Sequence, residues 1–151
     1  MTAPVAFLTG AASGIGLATA RELARRGYAL GLLDCQEQTL TAAASALEAD
    51  GARVLCHCGD VGDLEFSAAA VRETARRLGR LDLLINNAAW RELASMRRIS
   101  VESWERTLRI CLTAPAFLAR TAAEIMERQQ CGVIINISSI RAFQPDGLAA
   151  A

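Results

Sequence analysis

An α/β fold built on a doubly wound parallel sheet is what this sequence predicts, and three observations carry the prediction. Short apolar runs alternate with longer stretches of helical periodicity almost without interruption. The runs are continuously apolar, as strands covered on both faces are, rather than alternating apolar and polar. Glycine or a turn residue closes nearly every helical stretch. Right-handed crossovers then leave few topologies, of which the doubly wound sheet is the natural one. Repeats, linkers and low-complexity stretches are absent from the sequence, so one domain over residues 1–151 suffices.

Taken in order, Val5–Thr9 reads as a first strand, stopped by Gly10. Residues 15–26 have small and apolar residues at helical spacing, then charge, then Gly27 as a C-terminal stop. Residues 28–33 form a second buried strand ending at Asp34, and residues 36–50 an Ala-rich amphipathic helix closed by Gly51. A third strand over 53–57 precedes a helix over Leu64–Leu78, stopped by Gly79. Residues 81–85 make a fourth strand bounded by Asn86-Asn87. Residues 102–128 read as one long helix whose buried stripe includes Trp104, Leu108, Cys111 and Leu112, with Pro115 where a kink or offset is tolerated. A fifth strand over 133–137 runs into Ser138-Ser139, and Pro145-Asp146-Gly147 signals a turn.

Composition narrows the function classes. Hydrophobic residues at 52% and charged ones at 21% describe a globular chain. Sixteen basic residues, all Arg, balance sixteen acidic ones, which leaves no electrostatic footprint for nucleic acid or anionic lipid. A lone histidine, His57, argues against a His triad or a multi-His metal site. Cys56 and Cys58 flank it, but no second ligand pair exists, so we expect no metal and read these thiols as buried or half-buried small hydrophobes. Five scattered cysteines suggest reduced thiols in a cytoplasmic protein. Residues 1–20 carry no charged side chain, but they lack a basic n-region and are broken by Gly10, Gly14 and Gly16; we read them as strand, loop and helix start, not a targeting or membrane segment.

In a doubly wound sheet the ligand lies outside the carboxyl ends of the strands, so the residues that follow each strand are informative. After the first come Thr9, Gly10, Ser13, Gly14, Ile15 and Gly16, in a Gly-x-x-x-Gly-x-Gly loop. Such a loop lets backbone amides approach a pyrophosphate at the positive end of a helix. Asp34 ends the second strand, where a carboxylate accepts from both hydroxyls of an adenosine ribose and repels a 2′-phosphate. No Arg lies beside it or in the glycine loop, which predicts NAD rather than NADP. Asp60-Val61 would lie beside the adenine, and Asn87-Ala88-Ala89 would contact the cofactor or, with Asn86, brace the sheet. Trp90 and Arg91 either border the pocket or are ordinary packing and surface residues.

Together these segments resemble the short-chain dehydrogenase/reductase family over the whole 151 residues. The family's Thr-Gly-x-x-x-Gly-x-Gly stands as Thr9 to Gly16, its Asp-Val as Asp60-Val61, and its Asn-Asn-Ala-Gly as Asn86 to Ala89, with Ala89 in place of Gly. The strand leading to the family's serine looks like Gly132 to Ser139. The resemblance implies a Rossmann-type fold, hydride transfer between NAD(H) and a small alcohol or carbonyl substrate, and a homo-oligomeric full-length protein. It implies Ser139 as the catalytic serine that positions the substrate, with Ser138 packing behind it. The remaining family machinery is a tyrosine acid/base, a lysine four residues later that lowers the tyrosine pKa, and a helix asparagine that supports a proton-relay water.

Two departures stand out. Cys111 occupies the helix-asparagine position, and a thiol is a poor substitute for an amide. In this register the family tyrosine falls one position past Ala151, Tyr28 lies on the wrong part of the sheet, and no lysine is present. We therefore expect an incomplete sheet of about five strands, from the N-terminal part of a longer enzyme and inactive by itself. The alternatives are a non-catalytic NAD(H)-binding module and, less compatible with the glycine spacing, a methyltransferase-type adenosine pocket. The fifth strand's free edge is an expected association site.

Overall fold

A computed structural model describes residues 3–140, so Pro145-Asp146-Gly147 falls outside the described residues. The elements are β1 (Val5–Thr9), α1 (Gly14–Arg25), β2 (Ala29–Asp34), α2 (Glu37–Ala49), β3 (Val54–Cys58), α3 (Leu64–Leu78) and β4 (Leu83–Asn86). They continue with α4 (Val101–Leu108), a π-helical turn (Arg109–Thr113), α5 (Ala114–Gln129) and β5 (Val133–Asn136). All five strands run parallel in the order β3-β2-β1-β4-β5. The chain steps outward from β1 to β3, then returns to the other side of β1 for β4. The switch point lies between β1 and β4, where a doubly wound sheet opens its ligand crevice.

Strand alternation sorts the core into two layers. Val5 and Phe7 of β1 pack with Leu33, Val71, Leu84, Ala114 and Leu118 on the side of α3 and α5. Ala6 and Leu8 pack with Leu30, Leu32, Leu40 and Leu47 on the side of α1 and α2. β1 and β2 are buried along their whole length, and each large side chain so placed contributes roughly 1.5–3 kcal/mol.

The structure departs from the sequence expectations in three places. The predicted long helix is interrupted. Pro115 has no amide to donate and its ring crowds the carbonyl four residues back, so the preceding turn widens and the Ala114 amide donates to the Arg109 carbonyl, five residues away. The widening and the true orientation set a buried stripe of Ser103, Thr107, Ile110, Ala114, Leu118, Thr121, Ala122 and Met126. Trp104 and Leu108 are only half-buried, Cys111 is exposed, and Leu112 is 64% exposed. Of the large apolar residues in this segment, Val101, Leu112 and Phe117 face outward.

The second correction is that burial on both faces holds only for the inner strands. β5 is largely exposed and β3 mixed, because each has a neighbour on one side only among the described residues. The third concerns the thiols: all five cysteines are exposed, Cys56 and Cys58 included. Successive side chains of β3 point to opposite faces, and His57 is the buried member. Its Nε2 lies 2.8 Å from Thr74 Oγ1 and its ring is near Phe7. Burial pushes the His57 pKa below its ordinary 6.5; the Glu73 charge opposes this more weakly, and the Arg77 charge adds to it. No group of three or more metal-ligating side chains occurs among the described residues.

Candidate cofactor cleft

The cleft begins with a scaffold, not a ligand contact. Thr9, fully buried at the end of β1, accepts through Oγ1 from the amides of both Asn87 and Ala88, each at 3.0 Å. Asn87 returns the tie: its Nδ2 donates to the Thr9 carbonyl at 3.0 Å and the Gly10 carbonyl at 3.1 Å. The ends of β1 and β4 are thereby stapled across the switch point. Gly10 takes φ +65°, and a Cβ there would lie 2.9 Å from the Ala88 Cα. At Gly16 a Cβ would lie 2.0 Å from the Gly10 carbonyl oxygen, so only glycine lets α1 start this close to the loop.

Above this staple lies a cleft of about 370 Å³ at the carboxyl ends of the strands. Gly10, Ser13, Gly14 and Ile15 line it from the loop and first turn of α1. Asp34, Cys35 and Gln36 follow β2, and Gly59, Asp60 and Val61 follow β3. Asn87, Ala88, Ala89 and Trp90 follow β4. Ser13 precedes α1 in extended conformation without using its side chain as a cap, and the first helical amides have no intrahelical acceptor. That end of the helix suits an anion. Ile15 is 65% exposed beside it, an apolar surface that a ligand in the cleft would cover.

Asp34 is only 8% exposed. Its Oδ2 accepts from the Ala12 amide and its Oδ1 from the Gln36 amide, both at 3.0 Å. A carboxylate has about four acceptor sites, so these two bonds fix its orientation and leave acceptor capacity for a vicinal diol. Beside it, partial burial and then the Asp34 charge push the Cys35 thiol up from its ordinary range, which keeps it protonated at neutral pH and unsuited to be a nucleophile.

Ten of the predicted cofactor residues thus meet in one cleft: Gly10, Ser13, Gly14, Ile15, Asp34, Asp60, Val61, Asn87, Ala88 and Ala89. Thr9 and Gly16 shape it from behind without lining it. Asn86 braces the sheet, donating from Nδ2 to Asn136 Oδ1 at 2.8 Å and to the Pro115 carbonyl at 3.3 Å. Ser139 follows β5 at the same end of the sheet but is exposed and does not line the cleft. Cys111 sits on the π-helical turn, its thiol 3.4 Å from the Trp90 carbonyl.

Arg106 and Ile110 also line the cleft, and neither was expected. They come from the segment after β4, well beyond the Asn-Asn-Ala-Ala turn, and no motif marks them. Trp90 lines the cleft whereas Arg91 does not.

Fold and cleft together define a doubly wound α/β domain of the Rossmann class, with its ligand crevice at the β1/β4 switch point. Residues 4–151 match the short chain dehydrogenase family model, and the chain belongs to that family. It is 36% identical over 140 residues to the uncharacterized oxidoreductase YxjF of Bacillus subtilis, covering 93% of this chain and 54% of that protein. Over 137 residues it is 41% identical to cis-4-hydroxycyclohexanecarboxylate dehydrogenase of Sinomonas cyclohexanicum, covering 90% of this chain and 55% of the relative. The crystal structure of NAD+-bound xylitol dehydrogenase superposes with a TM-score of 0.92 at 29% identity, covering 97% of this chain and 57% of that one. The chain therefore spans about half the length of the proteins it matches, and its five-stranded sheet is an incomplete version of theirs. Among the described residues no helix is long and apolar enough to cross a membrane.

Proposed function

We propose that this chain is the NAD(H)-binding part of an oxidoreductase that moves hydride between a nicotinamide and a small alcohol or carbonyl compound. The observation that carries the proposal is convergence: four segments far apart in sequence close around one cleft with a helix N-terminus free of a side-chain cap on one wall and an oriented carboxylate on another. The cofactor supplies the hydride chemistry; this chain's residues bind and orient it. Amides at Gly14 and Ile15 would hold the pyrophosphate, Asp34 the adenosine ribose, and Asp60-Val61 the adenine. Asn87 to Ala89 would bound the half nearer the nicotinamide. Ser139 would align the substrate oxygen once a substrate pocket is assembled around it.

Preference for NAD follows from the buried Asp34 charge, which a 2′-phosphate would meet directly. The reading also makes the 151 residues inactive alone, because the sequence holds neither a tyrosine near Ser139 nor any lysine. Titration of the chain with NADH and NADPH, followed by nicotinamide fluorescence, tests it. Tighter binding of NADH is expected, with the preference narrowed in Asp34→Ala. Equal affinity for both in the unmutated chain contradicts the assignment of Asp34.

A further inference from the structure

Arg106 reaches the cleft from α4 and makes two contacts there. Its guanidinium lies 3.7 Å from Asp60 Oδ2, and its Cζ sits 5.1 Å from the centroid of the Trp90 ring. The turn it grips is otherwise held by short bonds. Asp60 Oδ1 accepts from the Gly62 amide at 2.8 Å, and one turn further along the helical segment Arg109 Nε donates to the Gly62 carbonyl at 2.7 Å. Two arginines one turn apart therefore fix the Asp60–Gly62 turn from outside, and one of them also stacks on the loop after β4.

This arrangement leaves Asp60 with one oxygen committed to the turn and the other directed by a cation. A guanidinium that also lies over an indole face has less freedom than one with a single partner, and so positions the carboxylate more closely. We propose that Arg106 is a positioning residue that sets the Asp60 carboxylate to read the base of the bound nucleotide, favouring a purine that presents an amino donor. The proposal rests on the NAD(H) reading above. A hypoxanthine base, which presents a carbonyl at the same place, would oppose the carboxylate acceptor-to-acceptor.

The test compares dissociation constants for NADH and reduced nicotinamide hypoxanthine dinucleotide in the wild-type chain, R106M, R106K, D60A and the R106M/D60A double variant. The Arg106–Asp60 pair is about half exposed on both sides, and exposed pairs add little to stability. R106M is therefore expected to fold as the wild type does, which a thermal melt checks. Wild type should favour the adenine form by roughly ten-fold, and R106M should shrink that ratio to about two- or three-fold. R106K, which keeps the charge but not the planar guanidinium, should fall between them. In the D60A background the ratio should already be lost and R106M should change it no further. A wild-type ratio near one overturns the proposal. So does an R106M variant with an unchanged ratio, or one in which both dinucleotides weaken equally. Absence of NADH binding by the wild type overturns the proposed function and this inference with it, whereas normal binding with an unaltered ratio overturns this inference alone.

Discussion

Replacing Thr9 by valine isolates the staple under the cleft, because the two side chains have nearly the same shape and differ at one hydroxyl. That hydroxyl is the acceptor for two amides, Asn87 and Ala88, and Thr9 is buried. Valine leaves both donors facing a methyl group, and each unsatisfied buried donor costs about 1–3 kcal/mol. Some relaxation toward solvent at the cleft is available to them, so we expect about 2–4 kcal/mol in total. For a domain of this size 1 kcal/mol moves the midpoint by roughly 2–4 °C, giving a fall of roughly 5–15 °C in Tm. Thr9→Ser is the control: it keeps the acceptor and loses one buried methyl, worth roughly 1 kcal/mol. Urea unfolding followed by circular dichroism gives both numbers, and NADH titration shows whether the Gly10 loop has shifted. The expected order is wild type, then T9S, then T9V, in both stability and affinity. A T9V variant as stable as T9S would refute the reasoning, since apolar burial rather than the paired amides would then hold the loop.

Gly16→Ala should disrupt the same region from the other side, because its Cβ would lie 2.0 Å from the Gly10 carbonyl oxygen. A destabilisation of about 1–3 kcal/mol and at least a ten-fold loss of NADH affinity are expected, and calorimetry that shows native affinity would contradict the close approach. His57 predicts a pH dependence: its pKa is depressed in the folded state by burial, so the unfolded chain takes up the proton first. Its contribution to stability is intact above 6.5 and is lost as the pH falls through the folded-state pKa; urea midpoints should drop across that window and drop less in His57→Gln. An identical slope in the variant would remove His57 as the cause. Finally, β5 and the residue after it present Val133, Ile135 and Ile137, each more than 40% exposed, along the strand with a neighbour on one side only among the described residues. Sedimentation should show self-association relieved by Ile135→Lys, and a monodisperse wild-type monomer would count against it.

What the sequence determined by itself was the repeating unit and its ends. Continuous apolar runs mark parallel strands, and β1 and α3 lie where periodicity and stop signals put them. The positions after each strand were legible as cleft-lining because a parallel sheet aligns its carboxyl ends. Backbone chemistry made Gly10 and Gly16 readable, and a lone carboxylate at a strand end made Asp34 readable. Tertiary structure decided what depends on which neighbours each element has. Cys56 and Cys58 have the composition of core residues yet face solvent: β3 has a neighbouring strand on one side only among the described residues, and alternation says only that they oppose His57, not which side is inside. The stripe of α4 and α5 could not be phased from the sequence, since small polar residues such as Ser103 and Thr107 are buried and Leu112 is not. Pro115 announced a disturbance, but its form as a widened turn depends on where the Ala114 amide finds its acceptor. Arg106 was hidden for the same reason: its role comes from Asp60 and Trp90 on two other segments, and no spacing along one segment encodes a contact made between three.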